Sequence, residues 1–133
     1  MVDGKKRVWA IVTERDLLHL FSKKLSGKKV EKIMSKDVVT ISPDTNLRMA
    51  SRKMIREDFR RLPIVEDKKL IGIVTVRDIV RFFGTGMVYK NLKSGAIGPV
   101  LDTPVHQIGS RGLVTVAADL DVAEAARRMI GRG

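Results

Sequence analysis

Two stretches of this chain are near copies of two others, and the copies interleave. Residues 7–21 (RVWAIVTERDLLHLF) align without a gap with residues 69–83 (KLIGIVTVRDIVRFF). Six of the 15 positions are identical: Ile11/Ile73, Val12/Val74, Thr13/Thr75, Arg15/Arg77, Asp16/Asp78 and Phe21/Phe83. Residues 30–55 align in the same way with residues 105–130, with ten of 26 positions identical. An internal repeat constrains the architecture more than any single residue does, because each copy is one supersecondary unit that must bury its apolar face against a neighbour. Here the unit is written once in full, between a leading second half and a trailing first half. The expected organisation is therefore residues 1–21 as the C-terminal half of a motif, 22–27 as a linker, 28–84 as a complete motif, 85–104 as a second linker, and 105–133 as the N-terminal half of a further motif.

Within the complete unit, residues 30–35 (VEKIMS) read as a short amphipathic turn. Residues 38–41 (VVTI) are β-branched throughout and predict a buried strand. Ser42-Pro43-Asp44-Thr45 ends it, and Asp44 or Thr45 is placed to cap the next helix. That helix extends to about Asp58, with Leu47, Ala50 and Met54 as its core stripe. Residues 61–66 (RLPIVE) contain a proline, which predicts an edge strand or a strand that begins at the proline. Asp67-Lys68-Lys69 predicts a tight turn, and residues 70–74 (LIGIV) a strand apolar on both faces and so covered on both. Residues 76–83 predict a second helix, ended by Gly84. Helices on one face of a small sheet place the chain in the α+β class.

Composition narrows the function. The chain has no cysteine, which excludes disulfides, thiolate catalysis and thiolate metal sites. No apolar run approaches membrane-spanning length, and MVDGKKRV is no signal peptide, so a cytoplasmic protein without membrane contact is expected. The net charge of +11 concentrates at Lys23, Lys24, Lys28, Lys29, Lys32 and Lys36, and at Arg48, Arg52, Lys53, Arg56, Arg60 and Arg61. Such fields attract phosphate-bearing or acidic partners, although charge runs also serve simply to solvate a surface. No nucleophile–base set, paired carboxylates or metal cluster is present, so no enzyme is expected. His19 and His106 lack ligand spacing and read as surface residues. Met34, Met49, Met54, Met87 and Met129 read as packing residues, and Trp9 as core or interface.

The sequences VVTISPDTNLRMASRKM and RRLPIVEDKKLIGIVTVRDIV resemble the cystathionine-β-synthase (CBS) domain family. The most specific signal is an apolar strand closed by Thr-x-x-Asp, present twice, at 13–16 and 75–78, with Leu62-Pro63-Ile64-Val65 upstream of the second. The resemblance implies pairs of motifs about a pseudo-twofold axis, with clefts that take adenosine-containing ligands. It also implies a non-catalytic regulatory module that needs no cofactor and senses AMP, ADP or ATP, or S-adenosylmethionine. Against the family pattern, one complete motif stands here with half-motifs on either side. Either the chain is a fragment of a longer array, or its two halves join in space as one permuted motif. A fragment is favoured, but the halves are expected to associate, because each otherwise leaves an apolar face uncovered.

The same resemblance implies a site. A carboxylate in the first turn of a helix can accept both ribose hydroxyls, and helix N-termini favour phosphate. The family pattern assigns Asp78 to ribose and Thr75 to phosphate, with Asp16 and Thr13 in the incomplete motif. Thr and Asp so placed also serve as plain helix caps. Adenine is expected against Thr40, Ile41 and Pro43, with Leu62 and Pro63 opposite, and Arg60, Arg61 or Arg77 near phosphates. Thr115 and Val116 are the matching positions of the last copy. A homodimer is expected, with helices 76–83 and 13–21 near its interface. The rival reading is a nucleic-acid-binding protein. The charge favours it; the scarcity of aromatic residues and the lack of any groove-reading motif count against it.

Overall fold

Asp67 and Lys68 both hold positive φ, 48° and 64°, the signature of a two-residue hairpin turn whose twist matches the strands it joins. That turn fixes the register of β1 (Arg61–Glu66) on β2 (Lys69–Thr75): Arg61 opposes Thr75, Leu62 opposes Val74, Pro63 opposes Ile73, and a bulge falls between Ile64 and Val65. These elements are seen in a computed structural model that describes residues 7–8, 10–21 and 27–131, without the side chains of residues 19, 20, 21 and 87. Trp9, Lys23 and Lys24, and the side chains of His19 and Met87, lie outside the described residues. The helices are α1 (Glu14–Phe21), α2 (Leu47–Glu57), α3 (Val76–Phe83), α4 (Gly86–Lys93), α5 (Ile97–Leu101) and α6 (Val122–Ile130), with single 3₁₀ turns at Val30–Lys32 and Val105–Gln107.

The chain divides into two units, a central one (Val39–Leu113) and one built from both ends (Met1–Val38 with Val114–Gly133). In the central unit, Leu62, Ile64 and Val74 of the hairpin pack with Leu47, Ala50 and Met54 of α2, Ile79 of α3, Ile41 and Val105. The predicted stripe of α2 is thus its buried face. In the end unit the buried residues form two clusters, Ala10 with Val30 and Ala125, and Leu17 with Val122. The two half-copies do associate: α1 packs against α6.

The lead-ins follow one rule in both units. In the central unit, Leu47 N–H donates to Thr103 C=O (2.9 Å), Val105 N–H to Thr45 C=O (2.8 Å), and Ser110 N–H to Ile73 C=O (2.8 Å). In the end unit, Val122 N–H donates to Lys28 C=O (2.9 Å), Val30 N–H to Leu120 C=O (2.9 Å), and Ser35 N–H to Ile11 C=O (2.9 Å). Each of these pairs maps onto its counterpart at the offsets of the sequence repeats, with Lys28 and Thr103 two residues before the aligned segments. The turn that precedes each copy therefore serves the other unit: Val30–Lys32 belongs to the end unit and Val105–Gln107 to the central one.

Four details differ from the sequence reading. The cap of α2 is Asn46, whose Oδ1 accepts from Met49 N–H at 2.9 Å, rather than Asp44 or Thr45. The strand expected at 38–41 is a single parallel bridge between Ile41 and Ile64. Its reason is Pro63: continuing the ladder to Val39 would need an N–H from residue 63, which proline lacks. The strand β2 is covered less evenly than its composition suggested, with Val74 fully buried and Ile71 37% exposed. The connection 85–104, read as a linker, carries α4 and α5.

Candidate functional site

Both Thr-x-x-Asp segments fold into the same closed box. At the start of α3, Asp78 Oδ2 accepts from Thr75 N–H (2.8 Å) and from Thr75 Oγ1–H (2.8 Å), while Thr75 Oγ1 accepts from Asp78 N–H (3.1 Å). At the start of α1, Asp16 Oδ2 accepts from Thr13 N–H (2.7 Å) and Oγ1–H (2.9 Å), and Thr13 Oγ1 accepts from Asp16 N–H (3.4 Å). This is the reciprocal capping box, which satisfies helix N–H groups that have no partner within the helix. The capping role is thus real in both copies. It occupies Oδ2 alone, and a carboxylate offers about four acceptor positions, so capping leaves Oδ1 able to accept further bonds.

The hairpin register sorts the remaining residues by level. Arg61 lies across from Thr75, and Val76 N–H donates to Arg60 C=O at 2.9 Å, so Arg61, Thr75, Arg77 and Asp78 all belong to the open end of the hairpin. Thr75, Asp78 and Arg61 are half-buried and Arg77 is exposed. Ile41 sits opposite Ile64, three residues along β1, about 10 Å from the level of Arg61 at the usual strand rise. Its N–H and C=O are both taken, by Pro63 C=O (3.0 Å) and Val65 N–H (2.9 Å). Ile41 and Leu62 are core side chains, 7% and 0% exposed, and Pro63 is also buried. Thr40 is exposed. Pro43 runs to the other end, where its C=O accepts from His106 N–H at 3.2 Å. The expected residues therefore gather in two groups rather than one.

A cleft of about 260 Å³ opens in the central unit, lined by Ile64, Ile71, Gly72 and Gly109 and by Glu66, His106, Ser110 and Arg111. None of the residues expected from sequence lines it. Its volume is just under the range usual for small-molecule sites, and its mix of apolar wall and few polar groups is the usual one. His106 is half-buried here rather than a plain surface residue. A signal for this place existed in the repeat: Ser110-Arg111 matches Ser35-Lys36, a hydroxyl and a cation directly after each lead-in. Among the described residues no cluster of histidine and carboxylate groups could hold a metal ion, and no helix is long and apolar enough to cross a membrane.

A family model for the CBS domain matches residues 30–85. An uncharacterized 17.7 kDa protein of Acidianus ambivalens is 40% identical over 123 residues, which cover 86% of this chain and 75% of that one. An uncharacterized 33.4 kDa protein of Thermofilum pendens, encoded in a ribosomal RNA operon, is 36% identical over 133 residues, 100% of this chain and 44% of that one. The crystal structure of protein MJ1225 from Methanocaldococcus jannaschii, proposed as an archaeal homologue of γ-AMPK, superposes with a TM-score of 0.76 at 25% identity, over 90% of this chain and 44% of that one. The chain thus spans under half the length of the Thermofilum and Methanocaldococcus proteins. Two further structures share the fold: CBSX2 in complex with AMP (18% identity, TM-score 0.62, 80% of this chain and 76% of that one), and the CBS domain pair of protein MJ0100 with 5′-methylthioadenosine and S-adenosyl-L-methionine (24%, 0.59, 79% and 73%).

Proposed function

The chain belongs to the CBS-domain family, and we propose that it is a non-catalytic regulatory module that senses an adenosine-containing ligand, with AMP, ADP or ATP first and S-adenosylmethionine second. The observation that carries this reading is Asp78. Its Oδ2 is tied into the capping box, so the carboxylate is held rigid at the open end of the hairpin, with Oδ1 outside that box and Arg61 and Arg77 at the same end. Oδ1 would accept ribose hydroxyls, and the guanidinium groups would meet phosphate oxygens. Exposed Thr40 is the better contact for adenine than Ile41, whose backbone groups are in the ladder. That two neighbours of this fold hold AMP or adenosyl compounds supports the ligand class.

Calorimetric titration of AMP, ADP, ATP and S-adenosylmethionine tests the reading. A nucleotide that binds only the folded state raises the melting temperature by mass action. Losing a bond to a charged acceptor costs about 1.5–3 kcal/mol, so Asp78→Ala should weaken binding roughly ten- to a hundredfold. Asp16→Ala should weaken it less. No binding and no melting shift at millimolar ligand would sink the sensing function. Equal and unchanged affinities in both variants would reduce Asp78 to a cap.

The proposal includes a cytoplasmic homodimer. Val80 on α3 and its repeat counterpart Leu18 on α1 are 64% and 66% exposed, and a dimer that covers both helices would bury them. A clean monomer by light scattering at micromolar concentration would contradict it. The net charge of +11 keeps nucleic acid as the second reading. Its affinity would fall steeply with salt, whereas nucleoside binding would not.

A further inference from the structure

The exposed face of α2 is unlike that of its repeat counterpart α6. In α6, Glu124 pairs with Arg127 (3.6 Å) and with Arg128 (3.4 Å), so both cations of that helix have a carboxylate partner one turn before them. The aligned residue in α2 is Met49, and it is 61% exposed rather than packed as the sequence suggested. Arg52 and Lys53, the counterparts of Arg127 and Arg128, have no carboxylate one turn before them. At 3.6 residues per turn, Ile55, Arg48, Arg52, Arg56, Met49 and Lys53 fall within an arc of about 160°, opposite the buried Leu47, Ala50 and Met54. Ile55 is 82% exposed. The residues of α2, α3 and α4 include eight cations (Arg48, Arg52, Lys53, Arg56, Arg77, Arg81, Lys90 and Lys93) and two acids, Glu57 and Asp78. Both acids are engaged, Glu57 with its neighbour Arg56 at 3.2 Å and Asp78 in its capping box.

We infer that this face of α2 docks an acidic segment of a partner protein, one that sets Asp or Glu against the cation row and aliphatic residues against Met49 and Ile55. Charge complementarity selects an anionic occupant. The aliphatic residues select protein over nucleic acid, since a phosphate backbone gives them nothing to pack on. A second copy of this chain is a poor occupant, because it would bring one cation row against another. An anionic bilayer is a poor one too, since membrane-surface helices carry Trp, Phe or Leu along their apolar face, and this arc has only Met49 and Ile55. The inference stands on the helix face alone, so failure of nucleotide binding leaves it intact.

The test is fluorescence anisotropy on the full chain at about 0.15 M salt, with a labelled amphipathic peptide carrying a Leu row beside a Glu row as probe. Comparison probes are the same peptide with Lys for Glu, the same with Ser for Leu, a short DNA duplex, and vesicles containing phosphatidylserine. The Leu/Glu peptide should bind best. Met49→Glu, which gives α2 the carboxylate that α6 already has, should weaken it at least roughly tenfold, as should Arg52→Glu. Arg127→Ala should leave it unchanged. Both α2 positions are exposed, and unchanged circular dichroism and melting would confirm folded variants. Absence of binding to the Leu/Glu peptide would overturn the inference, as would tighter binding of duplex or vesicle. Equal binding of the Ser peptide, or indifference to both α2 variants, would also overturn it.

Discussion

Val74, Ile41 and Met54 of the central unit are 0%, 7% and 5% exposed. Their repeat counterparts in the end unit, Val12, Val116 and Met129, are all half-buried. The residue types are nearly the same, so residue type does not set the difference. In the central unit Leu62 and Ile64 of β1 join the same cluster as those three side chains. A side chain in a repeat is core or rim according to what covers it, and the same letters carry different energies in the two units.

The strongest way to break that comparison is to remove the cover. Leu62 is fully buried, and Leu→Ala at such a site costs about 2–5 kcal/mol through lost transfer energy and a residual cavity. Val12→Ala, at a half-buried position, should cost about 1 kcal/mol. Urea unfolding of both variants decides it. If Val12→Ala costs as much as Leu62→Ala, burial is not what separates the units.

Next comes a position where the copies differ outright. Met34 packs beside Ala10, Val30 and Ala125 in the end unit, whereas its counterpart is Gly109. A Cβ at Gly109 would sit 2.7 Å from the Ile73 carbonyl oxygen and 2.9 Å from Ile64 Cδ1. Glycine to alanine commonly stabilises by restricting the unfolded chain, but crowding of this kind costs about 1–3 kcal/mol. Gly109→Ala should therefore lower the denaturation midpoint. A midpoint that holds or rises would mean that the lead-in gives way and that the close approach is not a constraint.

The sequence made most of this legible. Apolar spacing and turn residues placed α2, α3 and the hairpin, while the repeat brought out both Thr-x-x-Asp segments and led to the expectation that the halves associate. What it could not carry was tertiary. Asn46 became the cap because the chain reaches helical geometry only after Thr45 C=O has bonded Val105 N–H. The lead-ins exchange units because Ser35 and Ser110 each find the edge of the other copy's strand, Ile11 or Ile73. Hydrogen bonds between segments more than twenty residues apart leave no local mark. The same holds for the cleft, whose lining joins the hairpin to residues 106–111. Met49 misled because methionine reads as a packing residue from its type alone, and its place on the outer arc of α2, away from the Leu47–Ala50–Met54 stripe, shows otherwise.

A third test asks whether the capping boxes are equivalent. Thr75→Ala and Thr13→Ala each delete the hydroxyl that accepts the helix N–H, a loss of about 1 kcal/mol. The acceptor distance is 3.1 Å at α3 and 3.4 Å at α1, so the cost at Thr75 should be equal or slightly larger. Thermal unfolding of the two variants measures it. A Thr13 variant clearly worse than the Thr75 variant would reverse the order expected from geometry.

The smallest effect has the opposite sign. Lys68 holds φ at 64° in the turn between β1 and β2, where a residue with a Cβ costs about 1–2 kcal/mol and glycine does not. Glycine gives part of that back through its greater freedom in the unfolded chain, about 0.5–1 kcal/mol. An Asp-Gly pair also suits a two-residue hairpin. Lys68→Gly should therefore stabilise by about 0.5–1 kcal/mol, read as a small rise in midpoint with an unchanged urea slope. This variant also reports on the two units. The turn lies wholly in the central unit, so if the units unfold in separate steps, only the step belonging to that unit should move. If a single transition moves, the units unfold together, and the unequal burial of their cores is resolved by one cooperative event. A lowered midpoint would mean that the lysine's own contacts outweigh its backbone strain.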